Sequence, residues 1–378
     1  MAREVANMNQ RERLIATLNF DQTDRLPMMD FGYWEQTIED WQKEGMPRQV
    51  ENQKDVENYL SLDRCCFDTH LEVPQVNYQG AFFPLFEETI IDEDEKTVTK
   101  IDSYAVTLRE SKKKNSVPKY IRFPVEKKED FEKLKPRLDG KNPRRYPPDW
   151  SEQAKVINAR EEPVGLFILG FFGHPRNLMG LENLSLAYYL QPDLVRSIAE
   201  HHVQFIFDAY ERALNELEVD FVTIWEDMAY KNGPLISPSC FKEFMMPYYR
   251  EVTAFLKSKG VKKILVDSDG DIKKLVPLFI EAGVDGLYPC EIQPGSDPVI
   301  IREQYPRIAL LGGINKRALA AGKEAIDKEL EKINILARKG GYVPMVDHRV
   351  PPDVSFENYR YYCERRREII MNSRSWRK

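Results

Sequence analysis

The stretch "KKILVDSDGD" (262–271) turns from three apolar residues to two aspartates flanking a serine, and a helical pattern follows it. A short apolar run closed by polar residues reads as a buried strand, and successive side chains on a strand alternate faces. Asp267 and Asp269 therefore point together at the strand's end while Ser268 points away. The same beat recurs on both sides. Upstream lie "VGLFILGFF" (164–172) and "VDFVTIWED" (219–227); downstream lie "VDGLYPCE" (284–291), "RIALLGG" (307–313) and "GGYVPMVDH" (340–348). Helical segments separate them, among them 192–217 and 238–260, the second opening on a Ser237 cap and stopping at Gly260. Strands alternating with helices define an α/β fold with a parallel sheet, either doubly wound or a (β/α)8 barrel. No glycine-rich phosphate loop follows a strand, which favours the barrel. Two further strands are expected from "DRLPMMDFG" (24–32) and "RCCFDTHLEV" (64–73).

The bulk properties narrow the function. A hydrophobic content of 42% supports a sizeable core, and a net charge of −6 argues against nucleic acid as a partner. The longest apolar stretches are too short to span a bilayer, and the N-terminus lacks the apolar core of a signal peptide. Five cysteines without a CxxC pair (Cys65, Cys66, Cys240, Cys290, Cys363) fit a reducing cytoplasm, with Cys290 read as a small buried hydrophobe. The rhythm breaks between about 75 and 150, where "FFPLFEETIIDEDEKTVTKIDSYAVTLRES" (82–111) alternates like two or three antiparallel strands. That region reads as an insertion decorating one mouth of a single domain spanning 1–378, whose main βα run is 160–378. The lysine run in "KKKNSVPKY" (112–120) reads as solvated surface.

In parallel α/β folds ligands bind beyond the carboxyl ends of the strands. Those ends carry Glu226 and Asp227, Asp267 and Asp269, Cys290 and Glu291, and Asp347 and His348. Acids gathered at one rim repel, so a metal, a basic side chain or a proton is expected among them. The competing reading of "DSDGDIKK" is a helix cap and turn, and His348 competes as a backbone hydrogen-bond partner. His174 and Arg176 follow a strand and suit substrate positioning. Lys316 opens a helix after two glycines and suits an anion. Tyr33, Trp34, Phe172 and Trp225, with Phe31, Phe171 and Tyr288, fall near strand ends, where a few aromatics form a flat pocket. His70, His201 and His202 read as helix or loop surface.

Several segments carry a family resemblance. "NQRERLIATLNFDQTDRLP" (9–27), "GFFGHPRNLMGLENL" (170–184), "SPSCFKEFMMPYYRE" (237–251), "LLGGINKRAL" (310–319) and "VPPDVSFENYRYYCE" (350–364) resemble the uroporphyrinogen decarboxylase superfamily, in order along the chain. The resemblance implies a distorted (β/α)8 TIM barrel with an N-terminal helical and β-hairpin decoration over the mouth. True uroporphyrinogen decarboxylases carry an arginine-rich segment after the first strand, whereas this chain has "MMDFGYWEQT" (28–37). The other branch holds cobalamin-dependent methyltransferases, some binding zinc through His-x-Cys-Gly and a later Cys. On this sequence those positions fall on Asp267-Ser268-Asp269-Gly270 and on or beside His348. Carboxylates and imidazole make a harder site, suited to oxygen donors rather than thiols.

The resemblance therefore implies a corrinoid-dependent, O-demethylase-like methyltransferase acting on a small donor such as a methoxylated aromatic. Asp267, Asp269, His348 and Glu226 are the expected catalytic residues, and Asp267, Asp269 and His348 the expected ligands of a divalent metal such as zinc. Tyr33, Trp34, Phe172, His174, Arg176, Trp225, Glu291 and Lys316 are the expected substrate contacts. The chain lacks an Asp-x-His-x-x-Gly corrinoid loop, since "VDHRVPP" (346–352) has no glycine, so the corrinoid (cobalamin) is expected on a separate corrinoid protein. A homodimer is left open. The alternatives are a tetrapyrrole decarboxylase and a non-catalytic ligand-binding barrel.

Overall fold

A computed structural model describes residues 7–112 and 118–372, so 113–117 of the lysine run lie outside the described residues. The chain begins with α1 (Gln10–Leu18), α2 (Glu35–Lys43) and α3 (Gln53–Tyr59). Asn9 and Glu12 form a capping box that starts α1 by satisfying two otherwise free amides. The insertion is an antiparallel sheet in the order β1 (Thr89–Glu93), β2 (Thr97–Ile101), β3 (Thr107–Ser111), β4 (Lys119–Arg122); the first three fall within 82–111 as expected, and β4 lies beyond it. Helices α4 (Lys128–Leu134) and α5 (Trp150–Asn158) lead back to the main body.

The body alternates strands and helices. It runs β5 (Gly165–Leu169), α6 (Gly173–Met179), α7 (Leu181–Leu190), α8 (Pro192–Glu216), β6 (Phe221–Trp225), a small hairpin of β7 (Ala229–Tyr230) and β8 (Gly233–Pro234), α9 (Pro238–Phe244) and α10 (Met246–Ser258). Then follow β9 (Lys263–Asp267), α11 (Val276–Glu281), β10 (Gly286–Tyr288), α12 (Pro298–Gln304), β11 (Ala309–Ile314), α13 (Lys316–Ala321), α14 (Lys323–Lys339), β12 (Tyr342–Val346) and α15 (Phe356–Asn372). The helix expected over 238–260 is two helices, broken at Met245 (φ −124°). Pro247 has no amide to give, and the residues before a proline resist the helical conformation.

Six strands form one parallel sheet in the order β12-β11-β10-β9-β6-β5. The two further strands expected at 24–32 and 64–73 do not form. In their place Tyr33 makes a single parallel bridge to Val350, and His70 one to Gly165. A 3-10 turn at Cys66–Thr69 interrupts the second segment. The two segments touch through the Asp63 amide, which donates to the Met28 carbonyl at 2.8 Å. Among the described residues no continuous ladder joins β12 to β5. Side chains do the work instead. The fully buried Asp30 carboxylate accepts from the Val346 amide (2.8 Å), the Tyr359 and Tyr362 hydroxyls (2.7 and 3.0 Å) and the Arg366 guanidinium (2.9 Å), tying the N-terminal segment to β12 and α15.

The buried apolar side chains form two clusters. The larger fills the space between the sheet and its helices; the smaller joins Leu14 and Leu18 of α1 to Met29, Phe221, Leu265, Leu311, Val343 and Met345 on the other face of the sheet. The strands are thus apolar on both faces, as parallel strands covered on both sides must be. No described helix is long and apolar enough to cross a membrane.

Candidate active site

The pairing register brings Trp225, Asp267 and Tyr288 side by side at the strands' carboxyl ends. The Glu226 amide extends the ladder one step further, donating to the Asp267 carbonyl at 2.9 Å. At Asp227 the chain enters the left-handed region (φ +46°), which ends the strand alternation. The two neighbouring acids then part. Glu226 is buried, accepting from the Phe171, Phe172 and Gly173 amides (2.9, 2.8 and 2.8 Å) and the Tyr249 hydroxyl (2.5 Å). Asp227 joins Asp267 and Asp269, each of the three offering an oxygen within 4.8 Å of the others. His348 Nε2 stands 3.4 Å from Asp269 Oδ2.

Burial, reinforced by Asp269, pushes the Asp227 carboxyl up to about 6. Burial together with Asp227 and Asp269 lifts Asp267 well above the usual carboxylate range, although a Tyr288 hydrogen bond opposes the shift. Beside the cluster stands the Arg176 guanidinium, whose Nη1 donates to the Asp227 carbonyl at 2.8 Å and whose Nη2 is 3.8 Å from its carboxylate. Three converging carboxylates with an imidazole beside them form a donor set that fits a divalent cation preferring oxygen and nitrogen.

Aromatic rings border the acids. Phe67 stacks on Tyr288 at 3.9 Å, Phe31 lies 5.8 and 6.0 Å from that pair, and His348 stacks on Phe31 at 5.2 Å with Trp34 6.5 Å away. A cavity of about 390 Å³ opens beside Asp227 and Asp269, lined also by Arg176, Tyr230, Lys231 and Glu291 among others. Glu291 accepts from Lys316 Nζ (2.9 Å) and from the Gly270 amide (3.0 Å), while the buried Asp347 accepts from the Ile292 and Lys316 amides. Gly270 (φ +87°) lies under the β7–β8 hairpin, where a Cβ would come within 2.5 Å of the Ala229 backbone.

The structure therefore gathers Asp267, Asp269, His348, Arg176, Trp225, Trp34, Glu291 and Lys316 around the mouth. It places four other expected residues elsewhere. Glu226 is committed to the β5–α6 turn, and Phe172 is fully buried there. His174 is 2% exposed within α6, stacked on His202 at 4.2 Å. Tyr33 is buried against Trp41 and gives its hydroxyl to a hydrogen bond with Tyr359 at 2.8 Å. His202, expected at the surface, is also buried and donates from Nε2 to the Leu169 carbonyl at 2.7 Å. Of the residues not chosen from sequence, Asp227 was visible as the second acid of its strand end, and Phe67 was hidden in a segment expected to be a strand. Nothing in the sequence marks Tyr230 and Lys231, which the hairpin carries to the cavity.

A parallel α/β sheet with an acid–imidazole cluster beyond its strand ends defines a class broad enough to need comparison. The uroporphyrinogen decarboxylase (URO-D) family model matches residues 104–369, and the chain belongs to that family. In three dimensions it is similar to a methyltransferase from Methanosarcina mazei, with 17% sequence identity and a TM-score of 0.58, over 96% of this chain and 99% of that one. At that identity the likeness speaks for the fold. No curated protein matches the sequence.

Proposed function

We propose that this chain is a corrinoid-dependent methyltransferase that takes a methyl group from an oxygen-bonded donor, as an O-demethylase does. One observation carries the reading: Asp227, Asp267 and Asp269 converge to within 4.8 Å at the strand ends, with His348 beside them. An ether oxygen losing its methyl group develops negative charge and leaves only if a proton or a Lewis acid meets it. A divalent cation held by Asp227, Asp267, Asp269 and His348 would supply that Lewis acidity, and a reduced corrinoid, when bound, supplies the nucleophile that accepts the methyl group. The remaining residues position and exclude water: Phe67 stacks on Tyr288 with Phe31 tilted against both, and the Lys316–Glu291 pair braces Gly270 and its loop. The corrinoid arrives on a separate protein that visits the mouth transiently. The five cysteines are all buried thiols, in keeping with a cytoplasmic setting.

Tetrapyrrole decarboxylation fits less well, because four substrate carboxylates would meet a rim dominated by acids. The test is direct. Purified protein should hold about one equivalent of divalent metal and lose it, about tenfold or more in affinity, on Asp267→Ala or His348→Ala. Metal retained by both variants would place the ion elsewhere. Active protein free of metal would end the Lewis-acid role.

A further inference from the structure

We propose that this chain holds a second ligand site, away from the acid cluster, which takes an amphipathic anion: one acidic group on an apolar body larger than a single ring. The site is a cleft of about 1180 Å³ lined by residues from 71–77, 82–85 and 144–160 together with Tyr104. Its wall begins at Leu71, whose amide donates at 3.0 Å to the carbonyl of Gly165, the first residue of β5. The cleft therefore opens beside the amino end of β5, whereas the acids gather beyond the carboxyl ends of the strands. It shares no lining residue with the cavity beside Asp227, and nothing in the methyl-transfer reading uses it.

The charge of the cleft is opposite to that of the chain, which carries −6. Arg144, Arg145 and Arg160 line it against one carboxylate, Glu72. Arg145 is wholly buried and makes no ion pair among the described residues. Its Nε donates to the Asp139 carbonyl (2.8 Å), Nη1 to that of Pro74 (3.2 Å) and Nη2 to those of Ala81 and Arg137 (2.9 and 3.1 Å). A guanidinium has five N–H groups, so one on Nη1 is unspent. Carbonyls solvate the charge without cancelling it, and burial holds the Arg145 pKa down to about 10. Arg144 stands 5.4 Å from the Phe83 ring, and Arg145 is 5.7 Å from the same ring. Arg144 and Arg160 are exposed, and among the described residues neither side chain is held by a hydrogen bond or an ion pair. Trp150 is 1% exposed, and its indole N–H has no hydrogen-bond partner among the described residues. These unspent N–H groups call for an acceptor, and a guanidinium binds an anionic oxygen more strongly than a neutral one. Phe82, Phe83, Tyr104 and Trp150 supply the apolar surface for the rest of the ligand, as in most small-molecule sites.

Fluorescence titration of the full chain with two matched dyes tests this: 8-anilinonaphthalene-1-sulfonate, and N-phenyl-1-naphthylamine, the same body without the sulfonate. The sulfonate should bind about tenfold or more tighter than the neutral dye, an advantage that shrinks with added salt. Replacing the two exposed arginines together (Arg144→Ala with Arg160→Ala) should remove most of that advantage and leave the neutral dye within about twofold. Arg176→Gln with Lys231→Ala, which strips the cations from the strand-end cavity, should leave both dyes as in wild type. Equal binding of the two dyes by the wild-type chain would overturn the inference. So would a preference for the sulfonate that survives loss of Arg144 and Arg160 but not loss of Arg176 and Lys231.

Discussion

Glu226 and Asp227 are neighbours with opposite fates, and exchanging each for its amide separates scaffold from chemistry. Glu226 receives two donors on each oxygen: the Phe171 amide and Tyr249 hydroxyl on Oε1, the Phe172 and Gly173 amides on Oε2. In Glu226→Gln one oxygen becomes an NH2. If that group sits at Oε2 it faces two backbone amides; at Oε1 it faces one amide and a tyrosine that can turn round to accept. The better arrangement still strands one buried N–H, costing about 1–3 kcal/mol, and strips charge assistance from the bonds that remain. Burial raises the carboxyl's pKa despite those donors, so relief of that desolvation offsets part of the loss. A net destabilisation of about 1–2 kcal/mol is expected. Asp227→Asn should do the reverse: stability within about 1 kcal/mol of wild type or slightly above it, since a repelling charge is removed, with metal affinity and turnover lost. Urea unfolding, paired with turnover per folded molecule, measures both. A Glu226→Gln protein as stable as wild type but inactive would refute the reasoning, and so would a fully active Asp227→Asn.

Two further outcomes follow from buried charge. Asp30→Ala leaves the Arg366 guanidinium, wholly buried, without its counter-ion; the loss should be about 3–5 kcal/mol, and Asp30→Asn with Arg366→Met together should lose less than the two singly, as a double-mutant cycle reads out. Buried histidines set an acid limit: burial holds His202 down to about 4 and His70 to about 3. Above about pH 6.5 neither folded nor unfolded chain binds those protons; below it the unfolded chain binds them first, so stability falls from pH 6.5 to 4, by about 3 kcal/mol for His202 alone. The raised Asp227 and Asp267 carboxyls act in the opposite sense over the same range, so the measurement is the difference between wild type and His202→Gln. Unfolding curves with the same pH dependence in both would mean that this ring takes up its proton while folded.

The six parallel strands were legible because each is a short apolar run ended by polar or glycine residues; five formed within the expected segments, and β11 ran one residue past its own, to Ile314. The segments at 24–32 and 64–73 were not, because what holds them is not a ladder. Asp30 and its four partners come from opposite ends of the chain, and no local pattern announces a side chain standing in for a strand. The period-two rule placed Asp267 and Asp269 on one side, where the structure has them. The same rule cannot decide between Glu226 and Asp227, because the strand ends between them and Asp227 adopts a positive φ. His174 and Phe172 read as loop residues, but Gly173 starts a helix that buries both. The proline of "MMPYYRE" was in plain view at 247, and its break in the helix should have been expected.

The central claim is that the acid cluster at the strand ends releases a methyl group from oxygen to a reduced corrinoid. Its most direct test is the absorption of cob(I)alamin mixed with the metal-loaded protein and a methoxylated aromatic, wild type against Asp267→Asn. The account predicts loss of the cob(I)alamin spectrum with release of the free phenol, slowed about 100-fold or more in the variant. Equal rates in the two proteins, or an unchanged spectrum while a porphyrinogen gives up carbon dioxide, would contradict it.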